Sequence, residues 1–389
     1  MVRMQGATRV GVNVPMRGQV KTAPETWISP LAGNMPIHFG DGALDLLPSF
    51  LEELRPDKVF IVSDHHVFDI HGAFLLQLLP GDLAPEVIRI PEGEGEKNLA
   101  SLELIARELF ERGATKSSVV VNFGGGVVLN VGGLAASLCY RGLRFVHVPT
   151  TMMAQSDVIV SNKQGVNFAG GKNRLGLFST PMAAFADPRL CATEPMRQLR
   201  AALVEYAKNA LILGGAHYGA AMAFFEDGDP LSPANLRRLL RSSLEQKFEI
   251  ARLDPTEREF GMVLEYGHTV GHAVECLSQG RVLHGEGVYH GMNVAGRLAN
   301  AMGLLPDAEF KNQSLLLGRI RGIPGIPADI SVGQILKAVQ HDNKKKDANL
   351  AFILLQAVGR PHRSGPTVLT SVPEETLRLA LLEYRDALL

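Results

Sequence analysis

The sequence predicts an α/β N-terminal domain built on a parallel sheet, followed by an all-α C-terminal domain, and three observations carry that reading. In the first half, short apolar runs end in polar residues and pass through a loop into a helical pattern, as buried parallel strands do. After Pro181 such runs stop, residues 183–187 being the last, so the boundary falls at Asp187 and the domains are 1–187 and 188–389. Beyond it, long helical patterns are punctuated by Pro230, Pro255, Pro306, Pro324 and Pro327. With 46% hydrophobic and 20% charged residues, 389 residues suffice for two cores.

In chain order, residues 1–30 mix Gly, Pro and Arg without a period and read as a loose arm, with order expected from Ile37. Residues 58–64 form a strand that delivers Ser63 and Asp64 to its carboxyl end, where ligands commonly sit. A second strand, 86–90, leads through Gly93, Glu94, Gly95, Glu96 and Lys97 into a helix over 99–112; Glu94 and Lys97 are there either a solvated first turn or ligand contacts. Strand 118–123 runs into Gly124, Gly125 and Gly126 and a helix over 127–140. These glycines allow a tight turn or the close approach of a pyrophosphate to a helix N-terminus. Strand 144–151 ends on Thr150 and Thr151. Helices are expected over 195–225, 233–251, 260–278, 286–302, 308–319, 331–341 and 373–387.

Composition excludes several functions. A net charge of −1 with no block of like charges gives no electrostatic surface for nucleic acid or anionic lipid. Three widely spaced cysteines, Cys139, Cys191 and Cys276, argue against a disulfide framework and for core thiols in a reducing compartment. No run approaches the ~18 uninterrupted apolar residues of a membrane span, and the expected location is cytoplasmic.

The chemistry centres on His268 and His272. Four apart on a helix, they share one face, which suits a metal site, a paired acid/base site or simply a packed helix. Glu205 and Lys208 likewise share a helical face, as a site pair or a surface pair. Glu205, His268 and His284 would make the three-ligand set of a catalytic zinc, leaving His272 as a proton relay or a support to the ligands. Between the two halves, a Gly- and Asn-rich stretch carries Asp157, Lys163, Lys172 and Asn173; it suits an oxyanion, since lysine offers a charge and Asn and Gly amides offer neutral donors, or it is a solvated turn.

The order of these motifs resembles the dehydroquinate synthase superfamily of sugar phosphate cyclases. They are Gly93 to Lys97, Gly124 to Gly126, Pro149-Thr150-Thr151, Asp157 with Lys163, Gly171-Lys172-Asn173, Glu205 with Lys208, Gly267-His268-Thr269 and His284-Gly285-Glu286. The resemblance implies a Rossmann-like NAD-binding domain, a helical metal-binding domain and a site in the cleft. It assigns Asp64, Glu94, Lys97, Gly125, Gly126, Asn130, Thr150, Thr151, Lys172, Thr193 and Gln198 to NAD. Glu205, His268 and His284 fall to one divalent metal, zinc or cobalt. Asn173 and Lys344 match phosphate-binding positions with Lys163, and Arg141 matches an arginine that reaches the neighbouring subunit's phosphate, implying a homodimer. Asp157, Lys163, Lys208, Lys247, Glu265 and His272 are the implied polar and catalytic groups around the substrate.

Within the superfamily, Gly126 to Asn130 followed by Val131-Gly132-Gly133, Lys163-Gln164 and Leu264 to His268 look like the 2-deoxy-scyllo-inosose synthases, which act on glucose 6-phosphate. Dehydroquinate synthases hold a substrate carboxylate with an arginine and an asparagine where this chain has Gly261 and Glu265. An acid in place of a guanidinium repels a carboxylate and accepts bonds from sugar hydroxyls; Glu257 points the same way. The implied reaction takes hydride from C4, loses the C6 phosphate, returns hydride and closes the carbocycle. The alternatives are a cyclase of a seven-carbon phosphate or of the dehydroquinate precursor, and a polyol dehydrogenase, which would need no phosphate cradle.

Overall fold

A computed structural model of the chain describes residues 23–30, 34–226, 231–254, 259–340 and 350–388. Its main sheet has seven strands: β1 (Glu25–Ile28), β2 (Pro36–Phe39), β3 (Val59–Asp64), β4 (Glu86–Ile90), β5 (Val119–Gly124), β6 (Arg144–Pro149) and, after a separate hairpin of β7 (Lys163–Phe168) and β8 (Gly171–Phe178), β9 (Ala184–Ala186). The spatial order is β1-β2-β9-β6-β5-β3-β4, parallel throughout except for β1 against β2. Every residue of β3 and β5 is buried, which is why these strands read as Val, Ile and Phe runs interrupted only by Asn122 and by the polar or glycine residues at their carboxyl ends. Helices α1 (Leu47–Leu54), α2 (His65–Leu78), α3 (Leu99–Glu111), α4 (Gly126–Leu138) and α5 (Met152–Ser156) each follow a strand. Caps fix their starts: Asp64 accepts from Val67 N at 2.7 Å, Asn98 from Ser101 N at 2.9 Å and Thr151 from Ala154 N at 3.3 Å.

The strand order sets the site. From β3 the chain moves outward to β4, then returns to place β5 on the other side of β3, so direction reverses between β3 and β5. The crevice at their carboxyl ends is the switch point where open α/β sheets take ligands, and Asp64 and Gly124 to Gly126 flank it.

The second half is helical: α6 (Met196–Leu213), α7 (Gly215–Glu226), α8 (Pro233–Leu253), α9 (His268–Ser278), α10 (His284–Ala301), α11 (Asp307–Gly318), α12 (Val332–Val339) and α13 (Glu374–Asp386). One hydrophobic cluster spans these helices and Ile37, Phe39, Ala184 and Ala186 of β2 and β9, so the helical half packs directly on that part of the sheet.

Four expectations need correction. The helical half is not wholly α, because β10 (Leu350–Ile353) pairs with β13 (Leu369–Val372) and β11 (Leu355–Ala357) with β12 (Arg360–Pro361). The arm expected over 1–30 is ordered at Glu25 to Ile28 as the sheet's antiparallel edge; residues 1–22 lie outside the described residues. A single helix over 195–225 is broken at Gly214, whose φ of 66° and ψ of −155° cannot continue it. The helix expected from 260 starts at His268, since residues 260–265 form a 3-10 turn and Gly267 turns the backbone at φ 81°.

Helices α9 and α10 meet backbone to backbone. A Cβ built on Gly291 would lie 1.7 Å from the Gly267 carbonyl oxygen, so no larger residue fits without moving a helix that carries a site histidine. Gly291→Ala should therefore lower stability by about 1–3 kcal/mol, the usual cost of overpacking, read as a shifted denaturant midpoint. Gly219→Ala in α7, where an added Cβ meets nothing within 4 Å, should be neutral or stabilising and serves as the control.

Candidate active site

Three helices supply the centre. On α6, Glu205 and Lys208 are both buried, with Oε2 and Nζ 2.5 Å apart. His268 and His284 are the first residues of α9 and α10, where a helix dipole disfavours an extra positive charge on the imidazole. Their Nε2 atoms lie 3.8 Å and 3.9 Å from Glu205 Oε1, a buried oxygen with no hydrogen-bond partner among the described residues. Each Nδ1 faces an acceptor: the Tyr266 carbonyl, 3.2 Å from His268, and Glu275 Oε2, 3.1 Å from His284. Both Nδ1 atoms therefore carry a proton; on neutral His268 this leaves the Nε2 lone pair facing the orphaned carboxylate oxygen, and the neutral form of His284 would present its own Nε2 lone pair there too. The donor set fits a divalent cation, which would satisfy that oxygen and both lone pairs at once. His272, one turn along α9, completes the group: ligand nitrogens of His268, His272 and His284 lie within 4.8 Å of one another.

The electrostatics of the two imidazoles differ. Burial, reinforced by nearby Lys208, holds His268 well below the usual imidazole range, so it is neutral at physiological pH. His284 goes the other way: burial alone would lower it, but the bond to Glu275 and that carboxylate's charge raise it. Glu275 stays ionised far below the carboxylate range, against the effect of burial, because His284 and Lys172 both bind it. Asp157, half-buried, is kept ionised by Lys247, 2.6 Å away, and by Lys208.

The sheet side assembles most of the residues expected to meet a dinucleotide. Gly125 is the N-cap of α4 and offers no side-chain cap, which leaves that helix's first amides for another acceptor. Gly126 and Asn130 lie on the first turns of the same helix, and Thr150 N binds the Gly124 carbonyl at 3.0 Å, bringing Thr150 and Thr151 alongside. Glu94 pairs with Lys172 of β8 and accepts from Asn167 Nδ2 at 2.9 Å. Lys97 is buried, and its burial lowers it to about 8 despite Glu94. Thr193 Oγ1 lies 2.7 Å from His71 Nε2 on α2, and Gln198 is exposed in the first turn of α6.

Other placements are looser or outward. Lys163 and Asn173 stand exposed on the β7–β8 hairpin, and half-buried Glu265 acts electrostatically on His268. Arg141 is exposed beyond the far end of α4, a 13-residue helix and hence about 20 Å from Gly126. It cannot join this chain's own site. Lys344 and Glu257 lie outside the described residues. Cys276 is exposed, against the expectation of a core thiol, while Cys139 and Cys191 are buried. Glu275 was not singled out in the sequence. It lies three residues after His272 and seven after His268, on the histidine face of α9, and that spacing was the available signal.

Residues 87–201 match the family described as 3-dehydroquinate synthase N-terminal, and residues 202–345 the one described as 3-dehydroquinate synthase C-terminal. The chain belongs to the dehydroquinate synthase superfamily of sugar phosphate cyclases. Among its relatives, the 2-deoxy-scyllo-inosose synthase of Niallia circulans is 33% identical over 351 residues, covering 89% of this chain and 95% of that one. The 3-dehydroquinate synthase of Gloeobacter violaceus is 35% identical over 344 residues, covering 88% and 94%. A solved 2-deoxy-scyllo-inosose synthase, complexed with carbaglucose-6-phosphate, NAD+ and Co2+, superposes on this structure with a TM-score of 0.85 at 32% identity, over 93% of this chain and 99% of that one. Among the described residues, no helix is long and apolar enough to cross a membrane.

Removing one partner of a buried ion pair strands the other charge, at about 3–5 kcal/mol. In chelator-treated protein, Lys208→Met should cost that much in urea unfolding, and Glu205→Gln added to it should restore a large part. Strictly additive losses would show that the two side chains are not coupled.

Proposed function

We propose that this cyclase is an NAD- and divalent-metal-dependent carbon-oxygen lyase that converts glucose 6-phosphate to 2-deoxy-scyllo-inosose with loss of phosphate. The observation that carries the substrate reading is Glu265 on the 3-10 turn before α9, within electrostatic reach of His268, together with Gly261 on the same turn. Dehydroquinate synthases hold a carboxylate from these two positions. Here Gly261 N is held by Asp254 Oδ2 at 2.9 Å, and the one charge the pair offers is negative. A neutral sugar with hydroxyl donors suits such a wall, and a carboxylate-bearing one does not. The likeness to 2-deoxy-scyllo-inosose synthases supports the same reading.

Glu205, His268 and His284 hold the metal, zinc or cobalt, both of which suit nitrogen and oxygen donors. The residues that would hold NAD at the switch point are Asp64, Gly125, Gly126, Asn130, Thr150 and Thr151, with Glu94, Lys97, Lys172, Thr193 and Gln198 as further contacts. Bound there, the nicotinamide and the metal supply reversible hydride transfer and Lewis acidity at C4. The protein's own groups do the rest. Lys208, Lys247 and Asp157 orient sugar hydroxyls, Glu265 accepts from them, and Lys163, Asn173 and Lys344 hold the phosphate and stabilise its departure. His272, within the histidine cluster, relays the proton, since imidazoles titrate near neutrality.

A homodimer follows from Arg141. It and Tyr140 both have positive φ, 65° and 51°, and Tyr140 packs against exposed Phe110 with ring centroids 5.1 Å apart, beside exposed Leu138. A second copy placed on that face receives Arg141 in its phosphate site.

Seating a carboxylate beside Glu265 with no guanidinium should cost on the order of 3–5 kcal/mol, a discrimination of at least about a hundredfold. Phosphate release by the NAD- and metal-loaded enzyme should therefore be fast from glucose 6-phosphate and at least that much slower from the carboxylate-bearing heptulosonate. Equal rates would refute the role given to Glu265, and turnover of sedoheptulose 7-phosphate alone would move the enzyme to another branch.

The shared site is tested by complementation. Arg141→Ala and Lys163→Ala homodimers should each be nearly inactive, whereas their heterodimer contains one site with both residues intact and should regain up to half of wild-type activity. Verified heterodimers with no recovery would place Arg141 outside the site.

A further inference from the structure

One buried carboxylate touches both halves of the site. Glu275 of α9 gives Oε2 to His284 Nδ1 at 3.1 Å and Oε1 to Lys172 Nζ at 2.7 Å. Lys172, on β8, is also bound to Glu94 in the loop before α3. The result is a continuous chain from the switch-point side to the metal-binding side: Glu94, Lys172, Glu275, His284. Every link is charge-assisted or capable of it, and both Lys172 and Glu275 are largely shielded from water, with side-chain exposures of 15% and 8%. The end of α9 meets the same hairpin again, where Cys276 Sγ lies 3.8 Å from the Gly170 carbonyl.

We infer that Glu275 is a positioning residue that couples cofactor binding to metal binding, so that each ligand tightens the other. The inference rests on the reading above of Glu205, His268 and His284 as metal ligands and of Glu94 and Lys172 as cofactor contacts. The physical argument has two parts. A carboxylate that accepts from His284 Nδ1 fixes the ring and its tautomer, which presents Nε2 to a cation; losing such a partner weakens metal binding about 10–100-fold. That same carboxylate is held in place by Lys172, whose position depends on Glu94 and the hairpin. A cofactor that orders Glu94 and Lys172 therefore also orders Glu275, and the ordering cost met at one site is not met again at the other.

The test measures binding rather than turnover. Co2+ affinity is determined by competition with a chromophoric chelator, with and without NAD+, and NAD+ affinity by calorimetry, with and without Co2+. In the wild-type protein each ligand should lower the dissociation constant of the other by the same factor, about fivefold or more. Glu275→Gln should raise the Co2+ constant about 10–100-fold and bring the coupling factor to one. Lys172→Met leaves the Glu275 contact to His284 in place; it should weaken Co2+ binding less, yet also abolish the coupling. A carboxylate that merely supported His284 would leave coupling intact in Lys172→Met, and that result overturns the inference. So does a wild-type protein that binds both ligands independently, whether or not Glu275→Gln folds. A wild-type protein that binds neither NAD+ nor Co2+ would bring down the proposed function as well.

Discussion

The structure turns on one carboxylate, that of Glu205, set out of water beside a lysine. Glu205 is buried in the middle of α6, and an isolated ion there would cost several kcal/mol or would simply be neutralised. Lys208, one turn further on, satisfies Oε2 and leaves Oε1 with no hydrogen-bond partner among the described residues. His268, kept neutral by burial and with its Nδ1 committed to the Tyr266 carbonyl, brings a lone pair to that oxygen rather than a proton, and His284, its Nδ1 facing Glu275, lies 3.9 Å from the same oxygen. A neutral imidazole's lone pair facing a partnerless carboxylate oxygen is unfavourable until a cation joins them, and that imbalance is the strongest physical argument for a metal here.

Much of the surrounding architecture serves that convergence. His268 and His284 start their helices, so their positions are set by the backbone turns that precede them: Gly267 in a left-handed conformation for α9 and, for α10, Glu286, which caps the Leu283 N–H at 2.8 Å. Glu286 is in turn fixed by Arg197 of α6, the helix that carries Glu205, through bonds of 2.6 Å and 2.7 Å. The backbone contact of Gly291 with Gly267 brings α9 and α10 close enough for their first residues to meet over α6. Gly285, on which a Cβ would lie 1.9 Å from the Ala201 carbonyl oxygen of α6, and Glu286 are thus structural, and of the three residues that start α10 only His284 faces the chemistry.

The sheet contributes a different kind of constraint. Strand order places Asp64 and the triple glycine on either side of one crevice, and an α4 without a side-chain cap leaves amides for a bound anion. Joining this crevice to the histidine centre falls to the β7–β8 hairpin, which carries Lys163, Lys172 and Asn173 and reaches α9 through the Lys172 to Glu275 contact. A site divided between a sheet and a helical bundle needs such a bridge if its two ligands are to act on one substrate.

The sequence by itself determined what local periodicity and residue type can encode. The buried strands β3, β5 and β6 were legible because parallel strands covered on both faces are continuous apolar runs. Glu205 with Lys208 and His268 with His272 were legible as pairs because helical spacing puts three- and four-residue neighbours on one face. The edge strand Glu25 to Ile28 and the β7–β8 hairpin were not, since one looks like polar arm and the other like Gly- and Asn-rich loop until a partner strand supplies the hydrogen bonds. The break at Gly214 and the late start of α9 were missed because apolar spacing continues through a glycine whose φ only the fold decides. Tertiary structure alone decided that Glu205 Oε1 is left without a hydrogen-bond partner among the described residues, that Arg141 lies a full helix length from its own chain's crevice, and that Glu275 touches His284 and Lys172 at once. These are distances between elements far apart in the chain, fixed by helix packing and strand order, which no local pattern records.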